Sequence, residues 1–190
     1  MSSMKPKLRR TIYIGLGGTG IKTVLKVKEN FYKSCGGRTP AMIKFVCVDT
    51  NLGDLNGKET DSIKLDNTEK LHLTVSNPAG SFKSGSRSGK YAWMPEDNID
   101  SVADIRGTGA GQVRSNGRFV LEYNEEKDHS ISGYLNSIYE EITNAVADDT
   151  YFDVLDSAKT DVHLIFSIAG GTGSGMFLRM ATLIRQNIPN

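Results

Sequence analysis

The sequence predicts an α/β protein with a doubly wound, mostly parallel, Rossmann-like sheet carrying helices on both faces. Three observations carry this. The apolar runs at residues 11–14, 42–48 and 161–168 have strand length. Two of them are followed by glycine loops, at residues 15–20 and 169–175. Apolar residues then recur at helical spacing behind each loop, and strands joined through helices build parallel sheet.

Taken in order, Thr11-Ile12-Tyr13-Ile14 stops at Gly15-Leu16-Gly17-Gly18-Thr19-Gly20, and Ile21, Val24, Leu25, Phe31 and Tyr32 follow with helical period. Cys35 to Pro40 closes that helix, and residues 42–48 form the next strand. From Asn51 to about Ser101 the pattern weakens. Gly, Ser, Asn and charge dominate, and Tyr91-Ala92-Trp93-Met94 is the one apolar anchor, so this stretch reads as an irregular excursion with short local elements, within one domain. Its basic part, Lys83, Arg87 and Lys90, reads as a solvated loop rather than a phosphate contact.

Order returns at Arg106-Gly107-Thr108-Gly109-Ala110-Gly111-Gln112, a third glycine loop. A helix over 113–123 and a second over 131–146 follow, the latter with a stripe of Tyr134, Leu135, Ile138, Tyr139 and Ile142 that reads as core. The last strand, 161–168, leads into Ala169-Gly170-Gly171-Thr172-Gly173-Ser174-Gly175 and a helix over 175–186.

Composition narrows the function. Apolar residues make up 38% and charged residues 24%, as in a globular domain. The 23 basic and 22 acidic residues nearly cancel, which favours neither nucleic acid nor a membrane as partner. Cys35 and Cys47 lack pairing or metal spacing and read as reduced thiols, His72, His129 and His163 are scattered, and no run is long enough to cross a bilayer. The expected location is the cytoplasm.

The glycine loops carry the chemistry. Glycine lets the backbone adopt positive φ and approach a ligand, and a helix behind the loop offers unpaired N–H groups and the positive end of its dipole. Gly15, Gly17 and Gly20 satisfy G-x-G-x-x-G, and Asp49 at the end of the second strand suits a ribose hydroxyl, which alone suggests a dinucleotide-binding Rossmann domain. The Walker pattern fails, because Ile21 separates Gly20 from Lys22-Thr23. Three glycine loops, with 15–20 and 169–175 on the two sides of the crevice at the strand-order reversal, suit a triphosphate better.

These residues resemble a known family. Residues 169–175 match the tubulin signature [SAG]-G-G-T-G-[SA]-G at every position. Residues 15–20 look like the first phosphate loop of the bacterial division protein FtsZ. Val48-Asp49-Thr50-Asn51 followed by Leu55 is similar to its second loop, and Gly107-x-Gly109-Ala110-Gly111 with Gly117-Arg118 keeps the spacing of its third. Lys22 stands where FtsZ has asparagine, and the 51–101 excursion is longer than in FtsZ, so the chain resembles a divergent bacterial branch.

The resemblance implies that Gly17, Gly18, Thr19, Gly20 and Lys22, with Gly170, Gly171, Thr172, Gly173 and Ser174, hold the α- and β-phosphates of GTP or GDP. Asp49 and Thr50 would belong to the second loop, Ala110, Gly111 and Gln112 would meet the γ-phosphate, and Mg²⁺ would accompany the nucleotide. It further implies a filament-forming, self-associating GTPase whose guanine recognition and hydrolysis-completing acidic loop lie later in the chain, so no catalytic residue is assigned. Residues 1–190 then read as the N-terminal half of the GTPase domain, ending after the fourth family strand: a truncated piece or a half-domain that needs a complement. Strand 161–168 is expected at a sheet edge open to self-association. A non-hydrolysing nucleotide-binding scaffold and a Rossmann oxidoreductase remain the alternatives.

Overall fold

Residues alternating at a period of two put opposite faces of one strand into two different cores. In the computed structural model, which describes residues 5, 7–60, 62–103, 105, 109–145, 151–155 and 159–189, Ile12, Ile14 and Leu16 enter one apolar cluster and Tyr13 packs on the other. Such a strand needs cover on both sides, which parallel sheets obtain from crossover helices.

The elements run β1 (Lys7–Leu8), β2 (Arg10–Leu16), α1 (Gly17–Ser34), β3 (Ile43–Asp49), α2 (Leu52–Gly57), β4 (Lys70–His72), α3 (Pro78–Arg87), α4 (Ile99–Ala103), α5 (Arg114–Asp128), α6 (Ser130–Asn144), β5 (Asp153–Val154), β6 (Thr160–Phe166) and α7 (Gly171–Asn187). Four strands form the main sheet in the order β4-β3-β2-β6, all parallel. Tyr13 sits level with Phe45 on one side and His163 on the other, and stacks on both rings. A separate two-stranded parallel ladder joins β1 to β5.

One face is covered by α1, whose Ile21, Val24 and Leu25 pack with Ile43, Phe45 and Cys47 of β3. Lys28 of the same helix is buried and donates to Asp66 at 3.0 Å and Glu69 at 2.7 Å, so its charge is paired rather than stranded. The other face is covered by α5, α6 and α7, which bring Phe119, Val120, Ile131, Leu135, Ile142, Met176 and Met180 onto Ile14, Val46 and Val48. Each fully buried aliphatic side chain of this kind stabilises the fold by about 1.5–3 kcal/mol.

The predicted α/β architecture is present, with three differences. Helix α1 begins at Gly17, so the first glycine loop supplies the helix's first turn instead of preceding it. Helix α7 likewise starts at Gly171, inside the signature run. The 51–101 stretch, whose short elements are α2, β4, α3 and the start of α4, is anchored by more than residues 91–94: it feeds Leu55, Leu65, Leu73, Val75 and Phe82 into the cores in addition to Tyr91 and Met94. Residues 106–108 of the third loop and residue 146 at the end of the predicted helix lie outside the described residues.

Strand β6 is the last of the four, and among the described residues nothing pairs with its outer side. Its Val162, Leu164, Ile165 and Phe166 are half-buried, whereas β2 and β3 are buried almost throughout. The expected edge is therefore present. No helix among the described residues is long and apolar enough to cross a membrane.

Candidate functional site

Strand order reverses at β2, with β3 and β4 on one side and β6, reached later in the chain, on the other. A crevice must open where helices leave neighbouring strands in opposite directions, at their carboxyl ends. A cavity of about 170 Å³ lies there, lined from the first loop by Gly17, Gly18 and Thr19, from the second by Asp49, and from the third by Ala110 and Gly111. Gly170, Gly171, Thr172 and Gly173 complete it from the signature loop.

Helix α1, of 18 residues, and α7, of 17, both start in this cavity, and neither has a side-chain cap or an acidic residue in its first turn. Helix α5 beside them is uncapped too, whereas α2 and α3 are capped by Asn51 and Asn77. Uncapped first turns leave backbone N–H groups without intrahelical partners and concentrate the positive ends of the dipoles. The cavity is a place where an anion is favoured.

A chain of hydrogen bonds ties three loops together beneath it. Thr172 donates its hydroxyl to Asp49 Oδ1 at 3.1 Å, and the Thr50 and Thr172 hydroxyls lie 3.0 Å apart. Since Thr172 has already given its one proton, Thr50 donates to it. Thr50 Oγ1 in turn accepts from Ala110 N at 2.8 Å. Asp49 Oδ1 also accepts from the backbone N–H groups of Thr50 at 2.7 Å and Asn51 at 3.1 Å, while its Oδ2 is buried with no partner among the described residues. Burial raises the Asp49 carboxyl above its usual 3.8, with the two backbone donors and Thr172 opposing.

Several residues picked from the sequence have a second role or sit off the lining. Gly20 is under the site: a side chain there would collide with the Ile165 carbonyl, so its role is to let α1 lie close on the sheet. Gly171 and Gly173 line the cavity but are also packing glycines: a Cβ would strike the Gly111 carbonyl at the first and come within 2.9 Å of Leu16 O at the second. Gly170 faces open space. Thr50 is buried behind the wall, Ser174 gives its hydroxyl to the Gly170 carbonyl, and Lys22 and Gln112 are exposed and off the lining. Gly17 takes φ +72° and Gly111 φ +58°, the turns through which the chain enters α1 and approaches α5.

Asn51, Asp54 and Ser167 line the cavity as well. Asn51 belongs to the second-loop pattern, but no motif singles out Asp54 or Ser167. Asp54 reaches the site because α2 turns it toward Gly18, where it pairs with Lys58 at 2.7 Å. Among the described residues the lining thus holds two carboxylates and no basic side chain.

Fold and crevice define a Rossmann-like α/β domain with glycine loops meeting at the strand-order reversal. The chain belongs to the tubulin-like family: a family model described as "Tubulin like" matches residues 12–190. No curated protein matches it. Among solved structures, CetZ1 from Haloferax volcanii, a GDP-bound monomer, is 17% identical over 90% of this chain and 34% of that one, with a TM-score of 0.38. The chain thus spans about a third of that protein's length, and a likeness this weak carries no part of the functional reading.

Proposed function

We propose that this chain grips the phosphates of a guanine nucleotide, GTP or GDP, and that the complete protein is a filament-forming cytoplasmic GTPase. The observation that carries the reading is the meeting of two long uncapped helix N-termini, α1 and α7, in one cavity lined by backbone and hydroxyl groups. Its size is below the roughly 300–1,000 Å³ of whole small-molecule pockets, which suits phosphates rather than a whole nucleotide. Membership of the tubulin-like family supports guanine as the base. Residues 1–190 act as the N-terminal phosphate-binding half of the GTPase domain. Gly17, Gly18, Thr19, Gly170, Gly171, Thr172 and Gly173 form its walls, and Ala110 and Gly111 its third side.

A divalent cation fits this donor set. Among the described residues, Asp49 Oδ2 is a buried carboxylate oxygen without a partner, and the one basic group beside Asp54 is Lys58, its ion-pair partner. Two carboxylates beside a polyphosphate repel it unless a cation lies between them. Mg²⁺ when bound supplies that neutralisation. Asp49 and Asp54 would hold it, directly or through water, while Thr172 and Thr50 keep the Asp49 carboxylate turned toward the cavity.

The part played by these residues is positional and electrostatic, as phosphoryl transfer needs little covalent help. Nucleotide affinity with and without Mg²⁺ tests the reading: GTP should bind only weakly in a chelator, and binding that ignores Mg²⁺ would remove the cation. Phosphate release per molecule that climbs with protein concentration is expected of filament-coupled hydrolysis. A flat rate, or none, would leave a nucleotide-binding scaffold.

A further inference from the structure

Helix α5 is held from two sides. On the cavity side Gly117 lies so close to Gly171 that a side chain there would strike the Gly171 carbonyl, which locks the start of α5 to the start of α7. On the far side the segment between β4 and the third loop reaches over the first turns of α5 through two polar contacts. Asn116 Nδ2 donates to Ser101 O at 3.0 Å and to Ser101 Oγ at 3.1 Å. Trp93 Nε1 donates to Glu122 Oε2 at 2.7 Å, Arg118 Nε donates to Glu122 Oε1 at 2.8 Å, and the Arg118 guanidinium lies 4.0 Å over the Trp93 ring.

The fold does not depend on these contacts. The same segment is already anchored by Phe82, Tyr91, Met94, Val102 and Ile105, and the rings of Phe82 and Tyr91 meet Phe119 of α5 edge-on at 5.9 and 5.0 Å. Arg118 is 43% exposed, and ion pairs at that exposure add little stability. Two directional contacts from Trp93, one to the Glu122 carboxylate and one to the Arg118 guanidinium that Glu122 holds within the same helix, do fix the rotation and axial position of α5. Residues 109–113 run directly into that helix, and Ala110 and Gly111 line the cavity.

We propose that the segment between β4 and the third loop is a positioning element for that loop, clamping α5 through Ser101–Asn116 and Trp93–Arg118–Glu122, and that Trp93 reports occupation of the cavity. This rests on the nucleotide-binding reading above. Arg118, Trp93 and Ser101 are positioning residues, since none of them lines the cavity. A ligand that draws in residues 109–113 moves the start of α5, and with it the guanidinium stacked on the only tryptophan of the chain. The coupling is reciprocal, so loosening the clamp weakens the ligand.

The test pairs calorimetric titration of Mg²⁺·GTP with Trp93 emission in the same samples, on the unaltered protein and on Arg118→Ala, Arg118→Lys and Ser101→Ala. The unaltered protein should show a saturable emission change with the calorimetric midpoint. Arg118→Ala should weaken binding about fivefold with its melting temperature little changed, and Ser101→Ala less so. Arg118→Lys should recover only part, since an ammonium has no flat face to stack. If Arg118→Ala does not fold, Ser101→Ala and the emission signal decide. Emission that stays flat while calorimetry saturates, or unaltered affinity in the folded variants, overturns the clamp and spares the nucleotide reading. Absence of any calorimetric binding in the unaltered protein overturns both.

Discussion

Thr50 and Thr172 meet hydroxyl to hydroxyl at 3.0 Å, although 122 positions separate them in the chain. The contact joins the end of β3 to the first turn of α7, and through Ala110 N it extends to the third loop. One small side chain therefore sets the spacing of three cavity walls. Thr50→Val keeps the volume but removes the acceptor, leaving the buried Ala110 N–H unpaired, which costs about 1–3 kcal/mol. Thermal unfolding should fall by roughly 2–4 °C per kcal/mol in a domain this long. Nucleotide affinity should fall with it. An unchanged melting curve would contradict the chain of bonds.

Asp49 carries a desolvation cost in the folded chain. Its folded-state pKa stands above the unfolded value near 3.8, because burial penalises the charged form. The folded chain therefore binds this proton more tightly than the unfolded chain. Without ligand, the carboxyl's contribution to stability rises as pH drops through the raised folded-state value toward 3.8, and is least favourable above it. Asp49→Asn should accordingly hold or raise the melting temperature at neutral pH without nucleotide, while Mg²⁺-dependent affinity drops about tenfold or more. Loss of stability at neutral pH together with unchanged Mg²⁺ dependence would reject this role.

The glycines separate into two kinds by what a methyl group would meet. Gly20→Ala would drive a Cβ into the Ile165 carbonyl and push α1 off the sheet, with a cost above about 2 kcal/mol. Gly170→Ala meets nothing within 4 Å at an ordinary φ of −86°, so stability should change by under about 0.5 kcal/mol. Its methyl group stands on the cavity wall, and phosphate binding should weaken. Denaturant unfolding and nucleotide titration of this pair check the division. A Gly171 variant would not, since its packing against Gly111 would fail first.

The same division explains how much was legible in the sequence. The strands, the glycine loops and their meeting at the strand-order reversal follow from residues 11–20 and 161–175, where apolar runs and glycines alternate sharply. The glycine count does not by itself separate phosphate contact from packing, because backbone packing of α1 on the sheet and of α7 on α5 needs glycine just as a ligand does. Helix α3 was hidden by its serines and glycines: Pro78 in its first turn, the Asn77 cap on Gly80 N and the burial of Phe82 and Gly85 against Tyr91 make it a helix. Strand β4, of three residues, exists only through its pairing with β3. Asp54 reached the site by the turn of α2, for which the sequence has no marker.

The open side of β6 has a consequence in solution. Ile168 is 71% exposed and Leu178 69%, apolar groups near a strand with an unpaired edge. Such an edge templates pairing with another chain. Sedimentation of residues 1–190 should show mass rising with concentration, and Ile168→Lys with Leu178→Lys should reduce it without lowering the melting temperature. A chain that stays monomeric at high concentration would contradict this.

The central claim is that the crevice between α1 and α7 takes a guanine nucleotide by its phosphates. Calorimetric titration of the full-length protein with GTP, ATP and NAD in the presence of Mg²⁺ measures it directly. The expected result is saturable one-to-one binding of GTP, tighter than ATP or NAD and lost in Thr172→Ala, whose hydroxyl joins Asp49 to the loops. GTP bound no better than ATP or NAD, or bound equally by Thr172→Ala, would contradict it.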